Sequence, residues 1–139
     1  MKHNFKELTI WKRVRRLIQD IYSLTDDYPP SVKYDLVAQI RRASLSASLN
    51  IIEGTGRSTP KQLAHFLDIA YGSLKEIQGC LIHSFDLGYI KETDLKHYEN
   101  ETIELQKMIY AFRLKILSES NDKQPSNYSE TIKSRNLTI

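Results

Sequence analysis

Between Val32 and Gly54 the sequence places apolar residues on two sides of one helix, and no other stretch constrains the fold as strongly. Leu36, Val37, Ile40, Ala43, Ser44, Ala47 and Ile51 recur at spacings of three and four and share a face. The centre of that face is made of small residues, so a neighbouring helix can approach closely. Ala38, Leu45, Leu49 and Ile52 form a second stripe, about 150° around the cylinder from the first. A helix apolar on two faces must be covered on both. A small four-helix bundle covers only one of them, so the second stripe points to subunit association or to a protein partner. The alternative is a scatter of surface apolar residues, which is common in soluble proteins.

Proline and glycine divide the rest of the chain into three further periodic segments. The first helix is expected from about Phe5 to Leu24, with Trp11, Val14, Ile18 and Ile21 on its buried face. Pro29 and Pro30 end it, and Ser31 is the candidate N-cap of the second helix, Val32 to about Gly54. A third helix is expected over 60–87, opened by Thr59, Pro60 and Gln62 as cap, N1 residue and capping box. Leu63, Phe66, Leu67, Ala70, Leu74, Ile77, Leu81 and Phe85 make its stripe, and Gly88 is a natural stop. A fourth is expected from a Thr93 cap to Ser118, with Leu95, Tyr98, Thr102, Leu105, Ile109, Phe112 and Ile116 forming a heptad seam. From Glu119 to Ile139 the residues are polar without a buried face, which predicts a disordered tail. The expected fold is therefore all-α, an antiparallel up-down four-helix bundle over residues 1–118.

Charge arrangement matters more here than charge total. Twenty Lys and Arg against seventeen Asp and Glu give only +3, which permits nucleic-acid binding without requiring it. Lys12, Arg13, Arg15 and Arg16 lie between the apolar positions of the first helix. They form either a solvated surface, with Asp20 available to Arg16, or a phosphate-contacting patch. A polar track of Arg42, Ser46, Asn50 and Glu53 runs along the second helix, with Arg57 beyond it. Gly54 and Gly56 are expected to end that helix before Glu53 can pair with Arg57. The single Cys80 excludes an internal disulfide and a cysteine-rich zinc site. No apolar signal core opens the chain and no run reaches membrane-spanning length, so a cytoplasmic protein with no membrane partner is expected.

Catalytic and metal chemistry finds no constellation. A di-iron bundle needs inward carboxylates on facing helices. The nearest pieces, Asp94 with His97 and His65 with Asp68, lie off the expected core faces. Gly54-Thr55-Gly56-Arg57-Ser58-Thr59 looks like a phosphate cradle but lacks the P-loop spacing, lysine and preceding strand. The simpler reading is a turn whose glycines supply positive φ. No enzyme and no cofactor are expected.

Gln39-Ile40-Arg41-Arg42-Ala43-Ser44, Asn50-Ile51-Ile52-Glu53-Gly54-Thr55-Gly56-Arg57 and Phe66-Leu67-Asp68-Ile69-Ala70-Tyr71-Gly72-Ser73-Leu74-Lys75-Glu76 together resemble the four-helix-bundle family of 23S rRNA intervening-sequence proteins. Phe5 to Trp11 and the Leu87-Gly88-Tyr89-Ile90 turn fit the same pattern. The resemblance implies a bacterial antiparallel bundle assembled into a ring-like homo-oligomer, often a pentamer. Some family genes lie within intervening sequences of large-subunit rRNA genes, and more distant relatives accompany a reverse transcriptase. The family often carries proline where this chain has Ser48, so its second helix can run straighter here.

The expected function is a non-enzymatic homo-oligomer associated with RNA, its basic surface repeated by assembly. Lys12, Arg13, Arg15, Arg16, Arg41, Arg42, Arg57 and Lys61 are the candidate nucleic-acid residues. Ala38, Leu45, Leu49 and Ile52 are the candidate oligomer interface. The alternative is a protein-interaction scaffold, or an accessory subunit of an enzyme such as a reverse transcriptase.

Overall fold

The computed structural model describes residues 3–120, and these contain four α-helices and no strand. They are α1 (Thr9–Asp26), α2 (Ala38–Thr55), α3 (Pro60–Asp86) and α4 (Glu92–Ser120). Glu119 and Ser120, expected in the tail, continue α4; the rest of that expected tail, 121–139, lies outside the described residues.

The helix starts differ from expectation for local reasons. Phe5–Glu7 is a separate 3₁₀ turn, capped by the Asn4 side chain accepting from the Lys6 amide, and extended Leu8 divides it from α1. Ser31 does not cap α2. It lies inside a 3₁₀ turn, Pro30–Val32, which follows an extended Pro29 (φ −58°, ψ 143°). A single π-helical stretch, Lys33–Val37, then leads into α2 without a side-chain cap. Thr93 likewise does not cap α4, because the helix already begins at Glu92.

The third helix shows how the same signals act when the backbone fits. Thr59 is extended and its side chain accepts the Gln62 amide at 3.2 Å, with Pro60 opening the helix. The return bond of a capping box is absent; Gln62 Oε1 accepts from the Ser58 hydroxyl instead, at 3.4 Å. At the other end Gly88 adopts φ +83°. The Tyr89 amide donates to Ser84 O at 2.8 Å and the Gly88 amide to Phe85 O at 3.0 Å, a Schellman closure.

The core draws on all four helices. Val14, Leu17 and Ile21 meet Ile40, Ala47 and Ile51, with Leu67, Leu74, Ile77 and Leu81 from α3 and Leu105, Ile109 and Ile116 from α4. The most extensive packing is of α3 against α2 and α4, while α1 is held more lightly against α2 and α4. Phe85, expected in the buried stripe, is exposed, and Ser84 occupies the inward position beside it. Polar side chains join the helices above the core. Gln39 donates to Glu76 at 2.9 Å, Ser46 meets Ser73 at 2.8 Å, and Gln106 donates to Gln78 at 3.0 Å. The Trp11 indole N–H donates to Ser48 Oγ at 3.0 Å, and Arg113 pairs with Asp68.

Gly54 has a different role from the one its sequence position suggested. The helix runs through it to Thr55, and neither Gly54 nor Gly56 has positive φ. A Cβ on Gly54 would stand 2.8 Å from Leu63 Cδ1 and 3.0 Å from Phe66 Cβ. It is a close-approach glycine between α2 and α3.

Candidate nucleic-acid interface

Packing divides the candidate basic residues into two groups. Arg13 belongs to the first: its Nε and Nη2 donate to the Glu101 carboxylate at 3.0 and 2.8 Å, tying α1 to α4. The hydrogen bond to Glu101 raises the Arg13 pKa and fixes its charge in that pair. Arg41 lies over the Tyr22 ring, 4.5 Å from its centre. It also donates to Thr25 Oγ1 at 2.9 Å, Tyr22 O at 3.2 Å and Asp26 Oδ1 at 2.9 Å. Arg57 pairs with Glu53 and stacks 4.7 Å above Phe66. That pair was expected to be prevented by helix termination; it forms because α2 persists to Thr55.

Lys12, Arg15, Arg16, Arg42 and Lys61 form the second group: all are exposed, and none is ion-paired among the described residues. The geometry brings three of them together. Lys12 and Arg15 border a shallow hollow with Lys6 and Trp11, and the same two border another with Arg16, Gln19 and Asp20. Trp11 is a fixed platform, because its N–H is bound by Ser48 and Phe5 packs edge-on at 5.0 Å. The Arg15 guanidinium lies 5.6 Å from the centre of that ring. Lys6 was absent from the sequence candidates, since its position depends on the 3₁₀ turn before α1. Arg42 stands apart, lining a hollow with Gln39, His83 and Leu87, and Lys61 sits in the first turn of α3.

The second apolar stripe lies at the surface of the single chain. Leu49 is 59% exposed and Leu45 41%, while Ala38 and Ile52 are half-buried. No described residue covers the two leucines.

The phosphate-cradle resemblance of Gly54–Thr59 does not survive the backbone geometry. The amides of Gly56 and Arg57 donate to Glu53 O and Gly54 O, and the Thr55 hydroxyl donates to Ile52 O at 2.7 Å. Those donors are therefore spent on closing the helix. Cys80 is buried, and burial, with the Glu76 charge adding to it, pushes its thiol pKa up and away from reactivity. Among the described residues no three His, Cys, Asp or Glu side chains stand close enough to hold a metal ion. No helix there is long and apolar enough to cross a membrane.

Fold and surface together define a class: small all-α proteins whose helices share one apolar core and are joined around it by polar side-chain pairs. Within it, the chain belongs to the 23S rRNA-intervening sequence protein family, whose pattern matches residues 6–111. A crystal structure of a protein of unknown function from the S23 ribosomal protein family, from Bacteroides thetaiotaomicron, is similar in fold. It is 18% identical with a TM-score of 0.68, over 76% of this chain and 98% of that one. No curated protein matches the sequence.

Proposed function

We propose that this chain is an antiparallel up-down bundle that assembles with copies of itself into a ring, such as a pentamer. The assembly associates with RNA through basic faces repeated around it, and acts without catalysing a reaction. Helix-to-helix pairs support the antiparallel course: Gln39 with Glu76, Ser46 with Ser73, and Gly54 beside Leu63 rise along α2 while falling along α3. Gln78 with Gln106 and Asp68 with Arg113 do the same for α3 and α4.

The observation that carries the RNA reading is the cluster of Lys12, Arg15 and Arg16, exposed, in no ion pair among the described residues and backed by a fixed tryptophan. Phosphate contacts of this kind need no base readout and weaken steeply with salt. Fluorescence anisotropy with a structured RNA tests it. Replacing Lys12, Arg15 and Arg16 by Gln should weaken binding at least tenfold and flatten the log–log salt dependence by roughly 2. Absence of binding at low salt removes the reading.

The uncovered Leu45 and Leu49 favour a second reading, in which the stripe receives a different protein, as an accessory subunit would. Leu45→Asp with Leu49→Asp separates the two. Dissociation of a homo-oligomer in light scattering assigns the stripe to self-assembly. An intact oligomer that loses a co-purifying protein assigns it to that partner.

A further inference from the structure

On the side of the molecule formed by α3 and α4 a groove of about 420 Å³ lies apart from the basic face of α1. Its walls carry Tyr71, Lys75 and Gln78 from α3 and Gln106, Lys107 and Tyr110 from α4. That volume falls in the range of small-molecule sites, roughly 300–1,000 Å³. The combination of side chains is specific. A half-buried tyrosine comes from each helix, each helix adds one lysine, and two amides meet between them.

We propose that this groove binds a nucleotide, with the base against Tyr71 and Tyr110, its polar edge on the glutamines, and the phosphate at Lys75 and Lys107. The tyrosine rings offer the flat apolar surface on which a base stacks, as aromatic side chains do in single-strand binders. Gln106 is 4% exposed, and its Nε2 donates to Gln78 Oε1 at 3.0 Å. That bond uses one donor and one acceptor, and among the described residues the Gln106 carbonyl oxygen and the Gln78 amide nitrogen make no other side-chain hydrogen bond. An adjacent acceptor and donor is the complement of a base edge. Lys75 lies 5.8 Å from the centre of the Tyr71 ring, and Lys107 makes only a loose, exposed contact with Glu104 at 3.8 Å. Both ammonium groups can therefore turn to a phosphate at little cost. Ile103 completes the apolar lining.

The same chemistry is offered by a free mononucleotide and by an unpaired nucleotide in RNA. The inference goes beyond the proposed phosphate-binding face and uses none of its residues. Calorimetry or protein-observed NMR on the full chain, with AMP, adenosine, ribose 5-phosphate and a short oligoadenylate as probes, tests it. AMP should bind more tightly than adenosine or ribose 5-phosphate. Tyr71→Ala and Lys107→Ala should each weaken it, by about tenfold and about threefold, while the Lys12, Arg15 and Arg16 substitutions leave it unchanged. Tyr71→Phe should retain binding, which separates loss of the stacking surface from a folding defect. Stronger binding of AMP assigns the groove to a free nucleotide, and binding of oligoadenylate through the same residues assigns it to single-stranded RNA. No binding of either, binding insensitive to Tyr71 and Lys107, or ribose 5-phosphate binding as tightly as AMP overturns the proposal.

Discussion

The two faces of α2 are both apolar, yet they meet different fates. On the inner face Ile40, Ala43, Ala47 and Ile51 are buried, and Gly54 brings α2 to within contact of Leu63 and Phe66. On the outer face Leu45 and Leu49 remain exposed. Small residues explain the first, because they let another helix of the same chain fill the space at once. The larger leucines of the second have no such partner among the described residues. Hydrophobicity alone therefore does not tell a buried face from an exposed one; what distinguishes them here is whether another helix packs over the face. Neighbouring arginines repeat the contrast, with Arg41 locked against α1 and Arg42 exposed and in no ion pair among the described residues.

The largest test of this contrast compares leucines. Leu74→Ala, at a fully buried position, should cost about 2–5 kcal/mol in urea unfolding. Leu49→Ala should stay within about 0.5 kcal/mol when measured on dissociated chains. Equal losses would mean that Leu49 belongs to the core. Gly54→Val should follow, at about 1–3 kcal/mol, because overpacking against Phe66 Cβ outweighs valine's better helix propensity. A neutral or stabilising result would show that α2 and α3 can move apart freely. Next, Arg41→Ala should cost about 1–2 kcal/mol through lost hydrogen bonds and stacking, whereas Arg42→Ala should change stability by less than about 0.5 kcal/mol.

The smallest effect is electrostatic. Burial raises the pKa of Cys80 and of Tyr28 in the folded state. A group with a raised folded pKa contributes stability below its unfolded pKa and loses it as pH rises through the folded value. Stability should therefore decline above about pH 8.5, where an unfolded thiol ionises. Cys80→Ala should make the early part of that decline shallower. A pH profile of unfolding that is identical in the variant would show that Cys80 does not ionise in this window.

Much of the helix pattern was legible because its signals are local. Pro60 after Thr59 and Gly88 after a long apolar stripe act within one turn of backbone. Failures came where a local signal needed a backbone that the surroundings did not supply. Ser31 and Thr93 are good capping types, but one lies in a 3₁₀ turn and the other already within α4. Gly54 was misread because termination and close packing call for the same residue, and only the position of Leu63 and Phe66 separates them. Of the candidate basic residues, Lys12, Arg15 and Arg16 come together because they share one helix. Lys6 went unseen because it joins them across the break at Leu8.

The sequence by itself determined four helical segments, their apolar stripes and an excess of apolar surface on α2, since all of these follow from the 3.6-residue period and from residues that stop it. Tertiary structure decided which charges remain available. Arg13 is committed to Glu101, 88 residues away, and Arg41 to Thr25 and Asp26 across the α1–α2 contact. A side chain's charge is written in the sequence, but whether it faces a carboxylate or water depends on which helix packs beside it.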